Sequence, residues 1–159
     1  MSEQDIEEMA HVAISYFDGT QRTAALVDRE VPYPDGKLIV SRTDPQGIIT
    51  HANQAFIDMS GYSEAELIGA KHCILRHPDM PAAAFQDLWD TIGQGNKWHG
   101  YVKNLRKDGA YYWVKATVIP NIRNSRLVGY TSVRRKPSRR KIEESEALYQ
   151  TLLAAECKA

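Results

Sequence analysis

The sequence predicts an α+β domain in which a five-stranded antiparallel sheet carries short helices over one face. Three observations predict it: two short β-prone runs come first, several short helical segments follow, and three longer β-rich runs close the domain. This order favours an antiparallel sheet whose helices are gathered on one side. The chain has 159 residues, a length typical of one domain. We therefore expect a pocket between the sheet and its helices.

The composition excludes several classes of protein. Lys and Arg total 20, and Asp and Glu total 20, so the formal net charge is zero and no global field attracts nucleic acid. No window approaches the roughly 20 apolar residues of a membrane span, and the acidic N-terminus is unlike a signal peptide. Two widely separated cysteines exclude a disulfide framework or a zinc ribbon. These features predict a cytoplasmic location.

The N-terminal segment, residues 1–31, is predicted to be an amphipathic cap helix followed by a linker. Apolar residues recur at helical spacing from Ile6 to Phe17. This apolar stripe would serve either a homodimer or packing back onto the sheet. A turn-rich segment, 31–36, leads into the central domain, for which we expect the bounds 32–135.

The first half of the central domain is predicted to be a hairpin and two short helices. Residues 38–40 and 48–50 form the hairpin strands around a turn at 44–47. A short helix follows over 53–59, and the pair Ser63 and Glu66 is typical of a capping box before a second one.

A longer helix is predicted to begin at Pro81, with Asp79 as a candidate N-cap and Gly93 near its end. One face of this helix is apolar and carries Phe85, Leu88, Trp89 and Ile92.

Three β-rich runs follow as a meander, over 98–105, 111–119 and 127–134. The dipeptide Asp108-Gly109 between the first two is a strong hairpin signal. A sheet of this kind is expected to bury one face. The basic run 134–141 favours a solvated hinge over a lipid contact, and residues 136–159 are predicted to be a linker and the start of a signalling helix of a larger protein.

The segment 72–79 concentrates reactive side chains and leaves three interpretations open. The candidate metal ligands are His72, Cys73, His77 and Asp79. Pro78 prevents a regular helix from presenting Cys73 and His77 together, and neither metal ligation nor a Cys73–His catalytic dyad finds further partners in the sequence. The third interpretation is anion binding by Arg76, which composition alone does not separate from a solvated surface loop.

Trp98 and Asn104 lie six residues apart on one predicted strand. Because side chains alternate along a strand, an even separation places both on the same face. A flat ring beside an amide would suit a planar heteroaromatic ligand.

The segments already described resemble the PAS sensory fold, and within it the flavin-binding PAS domains of bacterial aerotaxis receptors. The matching segments are 50–56, 60–63, 66–69, 76–81 (Arg-His-Pro-Asp-Met-Pro), 84–89, 98–100, 102–104, 107–109 and 112–114. The match extends over about residues 32–135, and the string at 76–81 is far more specific than a general PAS pattern.

The resemblance implies non-covalently bound FAD that reports redox state or oxygen to a downstream signalling domain. Among signalling outputs it favours chemotaxis. It implies a sensory module with no enzymatic activity. It places cofactor contacts at Asn53, Arg76, His77, Asp79, Phe85, Trp89, Trp98 and Asn104. Among these, Trp98 would line the isoalloxazine ring and Asn104 would contact its polar edge. Expected partners are a second copy of the chain and the signalling part of a larger protein.

Two departures from the family pattern bear on mechanism. His72 stands where blue-light flavin PAS domains carry the cysteine that forms a photoadduct, with Cys73 one residue later. The segment Arg134–Pro137 replaces the usual Asp-x-Thr element at the exit of the domain. Two alternatives stay open: a haem-based gas sensor with His72 or His77 as axial ligand, and a ligand-free PAS module for dimerisation.

Overall fold

The computed structural model describes residues 10–15 and 21–157. Its strands are β1 (Ala10–Ser15), β2 (Gln21–Leu26), β3 (Ile39–Thr43), β4 (Ile49–Ala52), β5 (Trp98–Leu105), β6 (Tyr111–Arg123) and β7 (Arg126–Arg135). Its helices are α1 (Gln54–Ser60), α2 (Glu64–Leu67), α3 (Ala82–Gly93) and α4 (Arg139–Cys157), and a 3-10 turn spans His72–Leu75. Among these residues, no helix is both long and apolar enough to cross a lipid bilayer.

The main sheet confirms the predicted α+β fold. Five strands pair in the order β4-β3-β7-β6-β5, and every pairing is antiparallel. The last strand, β7, lies in the centre, because it pairs with β3 on one side and with β6 on the other. The end of the domain is therefore held between its first and its later strands.

The predicted N-terminal helix is wrong where the structure describes it. Residues 10–15 form a strand that pairs antiparallel with 21–26, with Ala10 opposite Leu26. The apolar run is short enough to satisfy a period of two as well as a helical period, and β-branched Val12 and Ile14 favour a strand. The rest of the predicted helix, residues 1–9 and 16–20, lies outside the described residues. The boundary between 31 and 32 stays a prediction.

The local helix signals of the first half are confirmed. Asn53 is the N-cap of α1, with its side-chain oxygen accepting a hydrogen bond from the amide of Phe56. Ser63 and Glu66 form the reciprocal hydrogen bonds of a capping box at α2. These signals are local in sequence, so they depend little on how the rest of the chain folds.

Asp79, in contrast, does not cap α3. The N-cap position is Pro81, which offers no side-chain hydrogen bond. The amides of Ala82 and Ala83 instead donate to the carboxylate of Glu156, at 3.1 and 2.9 Å. A carboxylate from the far end of α4 thus serves the start of α3, which spacing along the sequence could not indicate.

Helix α4 packs back onto the sheet and buries the face opposite to α1–α3. Tyr112 and Val114 on β6 are fully buried on one face, and Trp113 between them is 4% exposed on the other. The ring of Tyr149 on α4 stacks on Trp113 at 6.2 Å between centroids, and its hydroxyl donates to the carbonyl oxygen of Tyr101 at 2.6 Å. The expectation that the sheet buries only one face is therefore wrong where α4 covers β5 and β6.

The basic run is not uniformly solvated. Arg135, Lys136 and residues 139–141 are exposed, but Arg134 is only 2% exposed and lies inside the protein. The prediction of a solvated hinge is wrong for Arg134, because β7 continues through it and alternation turns its side chain inward.

Candidate functional site

A cavity of about 340 Å³ lies between the main sheet and the helical segments. The sheet side is formed by alternate residues of β5, β6 and β7: Trp98, Val102, Asn104, Val114, Ala116, Val118, Tyr130, Ser132 and Arg134. The helical side includes Leu75, Arg76, Phe85, Leu88, Trp89 and Ile92. A largely apolar cavity with a few polar groups is typical of a small-molecule site.

Trp98 is held rigidly in the cavity wall. Its indole nitrogen donates to the Asp87 carboxylate of α3 at 2.8 Å, and the side chain is 7% exposed. A Cβ placed on Gly100 would lie 2.3 Å from Cη2 of the indole. The ring can occupy this position only because residue 100 has no side chain, so glycine and aspartate together orient the indole.

Asn104 and Arg76 both line the cavity, and their backbones pair beside it. The two residues form an isolated antiparallel bridge, and Asn104 is 4% exposed. The Arg76 guanidinium lies 4.6 Å from the centroid of the Phe85 ring and donates to the carbonyl oxygen of Met80 at 3.4 Å. The loop after the 3-10 turn is thereby attached to β5 beside the amide of Asn104.

His77 and Asp79 are not among the side chains that line the cavity. His77 is 5% exposed, and its Nδ1 accepts a hydrogen bond from the amide of Asp79 at 3.0 Å. Asp79 in turn accepts from Lys103 Nζ at 2.7 Å. Lys103 and Asn104 are neighbours on β5 and face opposite ways. The string 76–81 therefore holds β5 on both faces, with Arg76 on the cavity side.

The pKa values of this pair follow from burial and charge. Burial, reinforced by the Lys103 ammonium, lowers the pKa of His77 to about 4, so the ring is neutral near pH 7. Partial burial alone would raise the pKa of Asp79, but the hydrogen bond and charge of Lys103 lower it. The Asp79 carboxylate is therefore held in its charged form by its contact with Lys103.

Asn53 also lies away from the cavity. Its side-chain oxygen accepts from the amide of Val40 at 3.1 Å, in addition to capping α1, and its amide group donates to the carbonyl oxygen of Leu38 at 2.8 Å. These bonds fix β3 against α1, whose Phe56 is fully buried near the cavity. Asn53 therefore holds β3 and α1 together and is not among the residues that line the cavity.

Trp89 and Phe85 are brought to the cavity by α3, as their shared helical face predicts. Trp89 is 37% exposed and its ring meets Tyr130 edge-on at 6.2 Å between centroids. It lies at the rim, so the cavity reaches the surface beside it. Five of the eight residues proposed from sequence thus surround one cavity: Arg76, Phe85, Trp89, Trp98 and Asn104.

Arg134 also lines this cavity, although it is not among the site residues predicted from the sequence. Its guanidinium lies 4.6 Å from the centroid of the Phe56 ring, and burial lowers the pKa of Arg134 to about 10. The alternation of side chains along β7 could have indicated this position, because Tyr130, Ser132 and Arg134 are two residues apart and lie on one face. The adjoining basic residues concealed it.

His72 and Cys73 also line the cavity. Desolvation, together with the nearby Arg134 guanidinium, lowers the pKa of His72 to about 3, so the ring is neutral. Nowhere in residues 10–15 and 21–157 do three His, Cys, Asp or Glu side chains converge in a way that could hold a metal ion.

The chemistry of the cavity fits a flat heteroaromatic ligand with polar edges. The indole of Trp98 offers a flat apolar surface, and Asn104 offers an amide that can donate or accept. One nitrogen of the Arg134 guanidinium, Nη1, is buried and has no hydrogen-bond partner among the described residues. The guanidinium also brings a positive charge into the cavity lining, which favours a ligand with acceptor atoms.

Comparison with known proteins gives a consistent result. The family model described as "PAS fold" matches residues 49–134. The chain is 43% identical over 129 residues to the aerotaxis receptor of Escherichia coli strain K12, which covers 81% of this chain but 26% of the receptor. The chain thus spans about a quarter of the length of that relative.

Two solved structures show the same fold. The dark structure of the blue-light photoreceptor Aureochrome1 LOV has a TM-score of 0.60 and 23% identity, covering 74% of this chain and 86% of the other. A light-oxygen-voltage domain studied with a flavin analogue has a TM-score of 0.57 and 22% identity, covering 76% and 86%.

Proposed function

This chain belongs to the PAS family, and from that premise we propose that it is a sensory module whose cavity binds FAD without a covalent bond. The module reports redox state or oxygen to the signalling part of a larger protein in the cytoplasm. The observation that carries the proposal is the wall formed by Trp98, Asn104 and Arg76 around one cavity. The 43% identity to an aerotaxis receptor supports the same function.

Different residues of the cavity would contact different parts of such a cofactor. FAD supplies reversible electron transfer through its isoalloxazine ring. Trp98, fixed by Asp87, packs beside the ring, and the Asn104 amide contacts its polar edge. Arg76, which lines the same cavity, would provide a positive charge for the pyrophosphate.

The histidines favour flavin over haem. His77 is outside the cavity lining, and its Nδ1 already accepts a backbone hydrogen bond. His72 does line the cavity, but its Nε2 lies 3.4 Å from a guanidinium nitrogen of Arg134. His77 is therefore not placed to bind a haem iron in this cavity, and the positive charge of Arg134 beside His72 Nε2 disfavours a metal cation there.

The proposal is tested by the visible absorption spectrum of the purified protein, followed by heat release and chromatography of any chromophore. Flavin bands that bleach with dithionite, with FAD released, are expected. Trp98→Ala should reduce the FAD content several-fold. His99→Ala should leave it unchanged, because His99 is the next residue on β5 and is exposed on the other face.

Other outcomes of this experiment decide between functions. A Soret band would replace flavin by haem. A colourless protein that does not take up added FAD, and that sediments as a dimer, would replace the sensor by a dimerisation module. If a flavin is found but proves to be FMN, the sensory proposal stands and the assignment of Arg76 to the pyrophosphate fails.

A further inference from the structure

Arg134 is a buried cation in the lining of the cavity. It is 2% exposed. Its Nε donates to Ser132 Oγ at 3.1 Å, and its Nη2 contacts Ser41 Oγ and lies 3.4 Å from His72 Nε2. The remaining nitrogen, Nη1, is buried without a partner among the residues that the structure describes. A buried donor left unpaired is costly, so its presence calls for an explanation.

No charge of opposite sign compensates this cation. The titratable groups that face it come from three elements: His72 of the 3-10 turn, Tyr112 of β6 and Tyr33 before β3. His72 is neutral because its pKa is lowered to about 3. Tyr112 is neutral because burial raises its pKa to about 12, and burial also raises the pKa of Tyr33. Within residues 10–15 and 21–157, no carboxylate lies within ion-pair distance of Arg134.

We propose that Arg134 is a second anion-binding group of this cavity, beside Arg76: its guanidinium interacts with an acceptor atom of the bound ring, and its charge favours ligand states in which that acceptor is negative. For the flavin, this inference rests on the proposed function. Two electrons from a reductant such as dithionite and one proton from water convert the neutral oxidised ring into a reduced ring with one negative charge. That charge is shared by N1 and the adjoining carbonyl, which are hydrogen-bond acceptors. Arg134 is then a residue that tunes the cofactor's electronics.

The experiment compares the wild-type protein with two variants and a matched control. Arg134→Gln removes the charge, and Arg134→Met replaces the side chain by an apolar one of similar length. Arg135→Gln is the control, because Arg135 is the next residue on β7 and is exposed. We measure FAD affinity in the oxidised and the dithionite-reduced state, the midpoint potential by dye equilibration, and the absorption of the reduced protein from mildly acidic to mildly alkaline pH.

Both Arg134 variants should bind reduced FAD about tenfold or more weakly relative to oxidised FAD, with a correspondingly lower midpoint potential. The reduced ring should take up its N1 proton at a higher pH than in the wild-type protein. Arg135→Gln should change none of these. Equal affinity ratios and identical reduced spectra in the wild-type and variant proteins would overturn the inference.

Folding is monitored separately from binding. Removal of an uncompensated buried charge by Arg134→Met should leave the melting temperature of the ligand-free protein unchanged or raise it. A clear fall would show that Arg134 stabilises the fold and would count against a binding role.

Failure of the proposed function is recognised by a wild-type protein that takes up no flavin. The inference about Arg134 is then tested with 8-anilinonaphthalene-1-sulfonate, a flat anionic probe whose fluorescence reports binding. Weaker binding by both Arg134 variants, with Arg135→Gln unchanged, would still support an anion-binding group. Equal binding by all the proteins would reject it.

Discussion

Gly100 determines where the indole of Trp98 can lie. A methyl group at residue 100 would overlap the ring, since the added Cβ would lie 2.3 Å from one ring carbon and 2.4 Å from another. Gly100→Ala should therefore displace the indole, break its hydrogen bond to Asp87 and lower both FAD content and stability, the latter by about 1–3 kcal/mol. Tryptophan fluorescence, flavin content and urea denaturation measure these effects.

Gly93→Ala is the matched control for this substitution. A Cβ on Gly93 would meet nothing within 4 Å, and alanine at the end of α3 should be neutral or stabilising by up to about 1 kcal/mol. If Gly100→Ala retained full flavin content and the tryptophan emission of the wild-type protein, the proposed orientation of Trp98 would be wrong.

Two histidines make stability depend on pH: His77, which is buried, and His72, which is half-buried in the cavity lining. The native protein holds His72 and His77 neutral, with pKa values of about 3 and about 4, whereas in the unfolded chain they titrate near the ordinary 6.5. The unfolded state therefore binds more protons below pH 6.5, and the free energy of unfolding should fall as the pH drops from about 6.5 towards 4. Each histidine contributes a slope of at most about 1.4 kcal/mol per pH unit.

Urea denaturation of the ligand-free protein at a series of pH values tests this dependence. His72→Asn should flatten the curve, whereas His51→Asn should not, because His51 is exposed on β4. An unchanged slope in His72→Asn would show that His72 does not cause the loss of stability in acid.

At the scale of elements, α3 and α4 are joined by the carboxylate of Glu156. Helix α3 carries Phe85 and Ile92 into the cavity wall, and its first amides bind Glu156 near the end of α4. A negative charge at a helix N-terminus also interacts favourably with the helix dipole. A movement of α3 in the cavity wall is therefore transmitted to α4 through Glu156.

Glu156→Ala should cost about 0.5–2 kcal/mol, the usual cost of losing a helix cap, and should speed amide hydrogen exchange at the start of α3 and the end of α4. Glu144→Ala is the control, because Glu144 pairs only with Arg140 and Lys141 of its own helix among the described residues. Faster exchange confined to α4 in both variants would mean that Glu156 does not couple the helices.

The sequence predicted the elements whose signals are local and misjudged those that depend on distant partners. The hairpin at Asp108-Gly109 and the Ser63 capping box each need only a few neighbouring residues, and both were predicted. The N-terminal strands were missed because a short apolar run fits two periods. Asp79 was assigned as a cap because no local signal points to Glu156, 74 residues from Ala82.

The same distinction applies to the site. Trp98 and Asn104 were predicted to share a face from their spacing alone, and both line the cavity. The burial of Arg134 could not be predicted with equal ease, because the surrounding basic residues are exposed and only the position of β7 in the centre of the sheet encloses it. Tertiary context outweighed composition at this residue.

At the scale of the whole molecule, we expect the redox state of the cavity to change α4. Amide hydrogen exchange along 139–157 should differ between the oxidised and reduced FAD-bound protein, because the Asn104 amide must change from donor to acceptor when the ring takes up a proton. Asn104→Ala should abolish that difference. Asn121→Ala is the control, since Asn121 hydrogen-bonds Thr131 away from the cavity.

A full redox-dependent difference in α4 of an Asn104→Ala protein that still binds FAD would show that the signal does not pass through this amide. Loss of the difference in both asparagine variants would indicate a general loss of rigidity in the sheet.

The central place of β7 has a mechanical consequence. The residue that reaches into the cavity, Arg134, precedes the first residue of α4, Arg139, by only a few positions on the same length of main chain. A displacement of the guanidinium is therefore transmitted through the backbone to the start of α4. The rotation of each side chain about the helix axis then determines which contacts of α4 change. One residue inserted at the start of α4 would turn every later side chain by about 100°, carrying Tyr149 away from Trp113 and Glu156 away from the first amides of α3.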